Sequence, residues 1–233
     1  TMTLIIQQSI PNLFALISLC MYGIVDSIYI GQYLPESSLA AMSVVNPLEN
    51  LFINIVMTSL SVGAVSTIGP AIGAGSIEQA KIYLTNFLYE GLAFCVLIPV
   101  IFLPWMKTLI SLVGASTDDV KRQSYDYALW MFLFGPIVYL ANGGMLPVLR
   151  TENRTTLAMV IQMSSSIICI ILDSVMFPTV GKKLEMKTAL ISTIVALTVT
   201  GLYSFMNFCG VIKKGVMKFK AKVVPDMKII WSM

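Results

Sequence analysis

Two aspartates, Asp26 and Asp173, lie inside long apolar stretches of this 233-residue sequence. A charged carboxylate at the centre of a bilayer costs about 3 kcal/mol even on lenient insertion scales. Acids in such positions usually face a cavity or a partner, and they mark pathways for ions or protons. The sequence has no histidine, and the apolar stretches contain no lysine or arginine that could neutralise the acids. We therefore expect both aspartates to act on an ion or a substrate.

Polar residues accompany the two acids at helical spacing. Steps of three and four residues place side chains on one face of a helix. The stripes consist of Ser18, Tyr22, Asp26, Tyr29 and Tyr33; Asn46, Asn50, Asn54 and Ser61; Gln162, Ser166, Cys169 and Asp173; and Ser192, Thr193, Thr200 and Asn207. Hydroxyl and amide side chains also join helices by hydrogen bonds, which would explain polar stripes but not the two acids. The pattern therefore predicts a water-filled or ion-binding cavity.

The buried acids suggest a mechanism. Removal from water favours the neutral form of a carboxylate, so a buried acid can take up and release a proton. It can then alternate between a proton or sodium ion and a cationic substrate, as an antiporter requires. Glu49, Glu90 and Asp126 lie near predicted span ends, where a side chain reaches the interface at little cost, and we predict structural roles for them.

The elements that position these residues are predicted to cross a membrane. Hydrophobic residues make up 57% of the sequence and charged residues 12%, with a mean hydropathy of +0.83. Soluble domains carry about twice that charged fraction. A helix needs about 20 apolar residues to cross a bilayer. Six such spans are predicted, at 5–33, 44–70, 83–105, 123–148, 155–178 and 188–211, with a short apolar piece at 109–113 lying at the membrane interface.

The ends and loops predict how the chain is arranged. The inner side would hold most of the lysines and arginines, mainly in the tail, which places both ends of the segment in the cytoplasm. Residues 1–212 are predicted to form a transmembrane lobe and 213–233 a basic linker toward a second lobe. The first residue is Thr1 rather than methionine, which favours a piece of a longer protein over a tail that ends as a surface helix. The net charge of +3 does not suggest nucleic acid as a partner.

Several classes of chemistry have no counterpart in the sequence. It contains no Walker-type glycine loop, GxSxG, HExxH or cluster of metal ligands, so we predict a protein that is not an enzyme and needs no cofactor beyond a coupling ion. Its four cysteines, Cys20, Cys95, Cys169 and Cys209, lie in apolar segments without CxxC spacing. They are expected to be free thiols.

Three stretches resemble the multidrug and toxic compound extrusion (MATE) transporters. MYGIVDSIYIGQYLPESSLAAMSVVNP is similar to the family's first helix and following loop, and VGAVSTIGPAIGAGSIEQAK to the end of its second helix. VLRTENRTTLAMVIQMSSSIICIILDSVMF resembles its R-x-E-G-N loop and the I-L-D-P motif of helix five. The resemblance runs along the whole chain and covers the first half of a family member.

The resemblance implies an all-α membrane protein in which six transmembrane helices form one lobe of a two-lobe transporter, built as a 6+6 parallel repeat around a cleft. It also implies roles for particular residues. Asp26 and Tyr22 match an acid and a tyrosine of the first helix, and Asp173 matches the acid of helix five. Asn142 falls near a polar position of helix four, and Ser192 or Thr193 near a hydroxyl position of helix six.

The departures from the family pattern concern the coupling ion. Cys169 stands where the family often has asparagine, which weakens a hydrogen-bonded ion site around Asp173. Ser174 replaces the proline after that acid. Asn153 replaces the loop glycine, and asparagine can still adopt the left-handed conformation that a helix end needs. A sodium ion, if it is the coupling ion, is expected at Asp26 or Asp173.

The leading interpretation is a secondary active antiporter of the plasma membrane. It would export organic cations or other amphipathic compounds in exchange for protons or sodium ions, with Asp26, helped by Asp173, binding the coupling ion. One alternative is a lipid-linked precursor flippase of the same superfamily, which would need a basic cavity for phosphate. Another is a membrane fragment that does not transport. A single lobe is not expected to transport unless it pairs with itself.

Overall fold

The computed structural model describes residues 2–115, 117–184 and 186–208. Every regular element in these ranges is helical. Six helical runs are long and apolar enough to cross a membrane, which confirms the predicted fold class. We call them spans 1 to 6, and they are Gln8–Tyr33, Glu36–Gly73, Ile77–Val113, Asp118–Thr151, Thr155–Gly181 and Lys187–Asn207.

The spans are built from nine α-helices among the described residues, three of them joined to the next by a short irregular turn. The α-helices are α1 (Met2–Tyr33), α2 (Glu36–Glu49), α3 (Ile55–Gly73), α4 (Ile77–Phe102), α5 (Met106–Val113), α6 (Asp118–Tyr139), α7 (Met145–Thr151), α8 (Thr155–Leu184) and α9 (Lys187–Phe208). A π-helical turn joins α2 to α3 and another joins α6 to α7, and a 3₁₀ turn joins α4 to α5. The predicted linker at 213–233 and Cys209 lie outside the described residues.

Span 2 begins eight residues earlier than its sequence predicts, at Glu36 instead of 44. The polar start of this helix contacts α6, and Ser38 is fully buried there. Ser38 donates a hydrogen bond of 2.7 Å to the Gln123 side-chain oxygen, and the Gln123 amide nitrogen donates to Ser37 at 3.0 Å. Because buried polar groups need hydrogen-bond partners, this match between distant residues lets a polar segment continue the helix into the lobe.

The apolar piece predicted at 109–113 belongs to α5, which continues span 3 after one 3₁₀ turn. Met106 and Ile110 point inward and are fully buried, whereas Leu112 is 77% exposed. Gly114 ends the helix with φ +116°, a conformation that glycine adopts without steric cost. Its location at the membrane interface stays a prediction.

Five spans form a ring. Span 1 packs against spans 5 and 2, span 5 against span 6, span 6 against span 4, and span 4 against span 2. Span 3 lies outside the ring and packs against spans 2 and 4. The ring therefore leaves a central space between its members, and span 3 supports two of its walls.

Small residues allow the ring to close where spans 4 and 6 meet. A Cβ atom added to Gly201 would lie 2.7 Å from the Ala141 side chain, closer than two carbon atoms can approach. The same holds between spans 3 and 4, where a Cβ on Gly91 would overlap the Leu140 side chain. Close backbone approach at small residues is typical of helices packed in membranes.

The outer surface of the bundle is apolar. Large hydrophobic side chains with half or more of their area exposed occur on several spans, including Ile24, Val96, Val175 and Leu202. In a soluble monomer such a continuous apolar surface would be unusual. This surface and the six long helices identify an integral membrane protein.

The loop between α7 and α8 follows the sequence prediction. Asn153 has φ +60°, the left-handed conformation expected where the resembling family has glycine. Its side-chain oxygen accepts a hydrogen bond of 3.1 Å from Gln8 on α1. The start of span 1 and the loop before span 5 therefore lie at the same end of the bundle.

Candidate binding cavity

A cavity of about 530 Å³ lies inside the ring of spans 1, 2, 4, 5 and 6. Cavities of this size hold small organic molecules in many proteins. Its described lining is Leu19, Tyr22, Gly23, Asp26, Met42, Asn46, Glu49, Asn50, Asn54, Met57, Thr58, Tyr127, Met131, Tyr139, Asn142, Gly143, Gln162, Ser165, Ser166, Cys169, Thr193 and Leu197. Among these residues there are two carboxylates and no lysine or arginine.

Both π-helical turns lie on the cavity wall. The turn Asn50–Asn54 follows Pro47 in span 2, and the turn Leu140–Gly144 follows Pro136 in span 4. Proline removes a backbone donor and disturbs the regular ladder, and π-helical turns inside α-helices are frequent at functional sites. Each turn brings amides to the cavity. In span 2, Asn54 donates a hydrogen bond of 2.8 Å to the side-chain oxygen of Asn50.

Asp26 is the acid of span 1, and it lies on the cavity wall as its position in the polar stripe predicts. Only 5% of its surface is exposed, and its Oδ1 atom is buried without a hydrogen-bond partner in the described structure. A buried acceptor without a partner is costly unless a proton, an ion or a ligand satisfies it. The geometry therefore suits reversible binding of a cationic group at Asp26.

Glu49 is the second carboxylate of the wall. The sequence predicted a structural role for it because it was expected near the end of a span, and that position is wrong. Because α2 begins at Glu36, Glu49 is the last residue of a 14-residue helix and lies well inside span 2. It is 8% exposed and lines the cavity. Tyr139 immediately precedes the π-helical turn of span 4. Its hydroxyl donates a hydrogen bond of 2.5 Å to Glu49 Oε1.

Two further hydrogen bonds join cavity residues to span 6. The hydroxyl groups of Tyr22 and Thr193 are 2.7 Å apart, which links span 1 to span 6. Asn142 Nδ2 donates a hydrogen bond of 2.8 Å to Thr200, while Asn142 Oδ1 is buried without a partner in the described structure. Asn142, which also lines the cavity, therefore has a hydrogen-bond acceptor without a partner.

Asp173, the acid of span 5, is placed differently from Asp26. It is 1% exposed and does not line the cavity. Neither of its carboxylate oxygens has a hydrogen-bond partner in the described structure, although Ser192 lies beside it. The Ser192 hydroxyl points to the Thr188 carbonyl oxygen, 3.2 Å away, and is fully buried. Asp173 and Ser192 thus form a separate buried polar group behind the wall.

Of the eight predicted site residues, the structure brings six to one cavity. They are Tyr22, Asp26, Asn50, Asn142, Cys169 and Thr193. Asp173 and Ser192 are the two that lie outside it. Two other residues of the predicted polar stripes, Ser61 and Tyr29, also lie outside the cavity. The Ser61 hydroxyl is 3.4 Å from the Gly144 carbonyl oxygen, and the hydroxyl groups of Tyr29 and Ser174 are 2.9 Å apart.

The sequence prediction missed the apolar and aromatic part of the wall. It includes Tyr127 and Tyr139 from span 4 and three methionines, Met42, Met57 and Met131. Such residues are common in lipid-facing and core positions, so their type alone gives no signal for a cavity. The predicted free thiols are consistent with the structure, where Cys20, Cys95 and Cys169 are unpaired cysteines.

The two other acids that were assigned structural roles lie away from the cavity. Asp126 is half-exposed and forms an ion pair of 3.3 Å with Lys187. Glu90 is on span 3, which contributes no residue to the described lining, although it lies midway along α4 and not near its end. Neither residue is part of the described lining.

The fold and the cavity define an integral membrane protein in which a ring of helices surrounds a polar, acidic chamber. The chain belongs to the MatE family, whose profile matches residues 11–175. This confirms the resemblance seen in the sequence. The chain is 25% identical over 230 residues to a protein of Shewanella oneidensis named FAD transporter, covering 98% of this chain and 50% of that protein.

Solved structures of similar fold include a multidrug resistance MATE family transporter of the MOP superfamily in an outward-facing conformation. It superimposes with a TM-score of 0.88 at 24% identity, over 98% of this chain and 49% of that one. A MOP superfamily transporter from Pyrococcus furiosus, described as having a binding pocket of reverse polarity, gives the same TM-score, identity and coverage. A MATE in complex with MaD3S gives 0.86 at 25% identity, over 97% of this chain and 50% of that one. The chain spans about half the length of the relatives it matches, in agreement with one six-helix lobe of a two-lobe fold.

Proposed function

We propose that this chain forms one lobe of a secondary active antiporter that exports organic cations in exchange for protons or sodium ions. Asp26 would bind the coupling ion and the cationic substrate in turn. The observation that carries the proposal is the Asp26 carboxylate, which lies on the wall of a cavity inside the membrane spans with one oxygen lacking a partner. The protein would lie in the plasma membrane with both ends of this segment in the cytoplasm.

The charge of the wall favours a cation. Asp26 and Glu49 are the charged residues of the described lining. A ligand that enters the cavity is therefore surrounded by acidic and neutral groups. A positive group gains from the carboxylates in a space where water screens them weakly, whereas an anion is repelled.

The remainder of the wall favours an organic molecule over a bare ion. The lining includes three tyrosines, Tyr22, Tyr127 and Tyr139, and three methionines, whose side chains are polarizable. Aromatic rings attract cations through their electron-rich faces, and methionine adapts to ligands of different shape. Such a wall suits flat, positively charged amphipathic compounds of varied structure.

A second candidate function comes from the relative named FAD transporter. FAD carries two phosphate groups, and a lipid-linked flippase substrate carries phosphate as well. Both substrates need positive side chains or aimed backbone donors, because burying phosphate without them is costly. The described lining has no lysine or arginine, so the contribution of this lobe favours cations over either phosphate-bearing substrate.

Asp173 would help Asp26 from behind the wall. Its carboxylate is close enough to Asp26 and Ser192 for electrostatic interaction, but it does not contact the cavity. A proton or sodium ion held there would change the charge balance at Asp26 without competing for the space of the substrate. The second lobe would complete the cleft, so a lobe that does not pair is expected not to transport.

The test is ethidium efflux from drug-sensitive cells that express the full-length gene encoding this chain. The Asp26→Asn variant is expected to lose efflux while its membrane expression stays at the wild-type level. Asp126→Asn is the matched control, because it removes an aspartate charge from the lobe without touching the cavity.

Retained efflux by Asp26→Asn would contradict the proposal. Absence of efflux from the wild type at good expression, together with uptake or release of FAD or a phosphate-linked lipid, would favour the second candidate. Equal loss of efflux in both variants would assign the effect to overall charge and not to the Asp26 site.

A further inference from the structure

We propose that Glu49, held by Tyr139, is a second substrate-contacting carboxylate, so that the cavity selects organic dications over monocations. This inference rests on the proposed function, because it assumes that Asp26 meets one positive group of the substrate. It assigns the second positive group to Glu49 on span 2.

Glu49 has the environment of a binding residue. Its side chain lies on the cavity wall and is more than nine-tenths buried. Tyr139 donates to one of its two carboxylate oxygens from the facing span 4. A hydrogen bond donated to a carboxylate oxygen fixes the orientation of the side chain. Glu49 therefore presents an oriented carboxylate to the cavity.

The two carboxylates come from different spans that line the same space. Asp26 is on span 1 and Glu49 on span 2, and both line the cavity of about 530 Å³. The described lining contains no basic side chain that could neutralise either of them. A substrate with one positive charge would leave the other carboxylate unpaired, and an unpaired buried charge is costly. A substrate with two positive groups can satisfy both acids.

A divalent metal ion is a poorer fit than an organic dication. Among the described residues no group of three or more Cys, Asp or Glu side chains is placed to hold a metal ion. Metal sites in proteins bring several oxygen ligands to one point. Here the described lining supplies two carboxylates, one each from spans 1 and 2, and its other members include tyrosines and methionines, which are poor ligands for a hard divalent cation.

Ethidium and propidium provide a matched pair of probes. They share the same phenanthridinium ring, but propidium carries a second quaternary ammonium group on its alkyl arm. Binding is measured by fluorescence titration on the purified full-length protein in detergent, for the wild type and for Glu49→Gln. We expect the wild type to bind propidium about tenfold more tightly than ethidium, since the Coulomb attraction between its second ammonium group and Glu49, weakly screened in the cavity, contributes about that factor. Glu49→Gln is expected to reduce this preference to within about twofold.

Two further variants complete the experiment. Tyr139→Phe keeps the Glu49 charge but removes its donor, so the propidium preference is expected to fall about threefold. This variant also tests the proposal if Glu49→Gln does not yield folded protein. Glu90→Gln is the matched control, because it makes the same change on span 3, outside the cavity, and is expected to keep the wild-type preference.

The result that would overturn the inference is an equal affinity of the wild type for the two probes, or a propidium preference that survives in Glu49→Gln. The Asp26→Asn variant separates this failure from failure of the proposed function. If Asp26→Asn weakens ethidium binding while Glu49→Gln leaves the preference intact, the dication inference alone is wrong. If Asp26→Asn leaves ethidium binding unchanged, the proposed cation site at Asp26 is wrong as well.

Discussion

Asp26 and Asp173 are the same residue type, each on a polar stripe of an apolar helix, yet they occupy different environments. Asp26 lies on the cavity wall, in contact with the space that a ligand would fill. Asp173 lies behind the wall, almost fully buried, and Ser192 is beside it. One acid can touch a substrate, whereas the other can act only through its charge.

The difference follows from helix geometry. Asp173 is one turn beyond Cys169, which lines the cavity, and one turn advances about 5.4 Å along the axis. After this step the Asp173 side chain no longer lines the cavity. A polar stripe therefore predicts which face of a helix points inward, but it does not predict where along that face the open space ends.

The largest expected effect that separates the roles of Asp26 and Asp173 is the loss of efflux in the Asp173→Asn variant. The change removes a buried charge that we propose to help Asp26 from outside the cavity, so ethidium efflux is expected to fall on the order of tenfold, which corresponds to about 1.4 kcal/mol on the limiting step. Ethidium affinity of the purified protein is expected to change less than about twofold, because no contact to the ligand is lost. Efflux and affinity are measured on the same preparations, and an affinity loss as large as the efflux loss would place Asp173 in the binding site.

A smaller effect is expected from Gly201→Ala, which changes the wall near Asn142 without altering any charge. The added methyl group would overlap Ala141, so the two spans must separate. Overpacking of this kind costs about 1–3 kcal/mol, and the melting temperature in detergent is expected to fall. The hydrogen bond from Asn142 to Thr200 should weaken at the same time.

Gly69→Ala is the control for this prediction, because nothing lies within 4 Å of the added atom. Alanine is a better helix former than glycine, so this variant is expected to be as stable as the wild type or slightly more stable. Equal melting temperatures for Gly201→Ala and Gly69→Ala would show that spans 4 and 6 do not pack as closely as described.

The smallest effect is expected from Tyr22→Phe. This variant keeps the aromatic ring but loses the hydrogen bond of 2.7 Å to Thr193. That bond links spans 1 and 6, and Tyr22 is one helical turn from Asp26. A single hydrogen bond contributes about 1 kcal/mol, so ethidium affinity is expected to fall about threefold to fivefold. Tyr29→Phe loses a comparable bond to Ser174 away from the cavity, and an equal loss of affinity there would exclude a local effect of Tyr22.

The six spans and most of the polar wall were predictable from sequence because they depend on local patterns. Apolar length identifies a span, and steps of three and four identify its polar face. These rules predicted Asp26, Asn50 and Thr193 at the cavity. Ser192 was predicted beside Thr193, but neighbouring residues on a helix point about 100° apart, and only Thr193 faces the cavity.

Glu49 could not be assigned correctly because its position depends on distant partners. The start of span 2 at Glu36 rests on the contact of Ser37 and Ser38 with Gln123, more than 80 residues away in sequence. With that start, the glutamate moves from a predicted span end into the lobe. Its hydrogen bond with Tyr139 joins the two spans that contain π-helical turns, and no local pattern predicts it.

The measurement that tests the central claim most directly is ethidium binding to the purified full-length protein, compared between the wild type, Asp26→Asn and Asp126→Asn. The account predicts that Asp26→Asn weakens binding by about tenfold or more, because a charged contact in the cavity is lost. Asp126→Asn should bind as the wild type does. Unchanged affinity in Asp26→Asn would contradict the assignment of Asp26 as the cation-binding acid of this lobe.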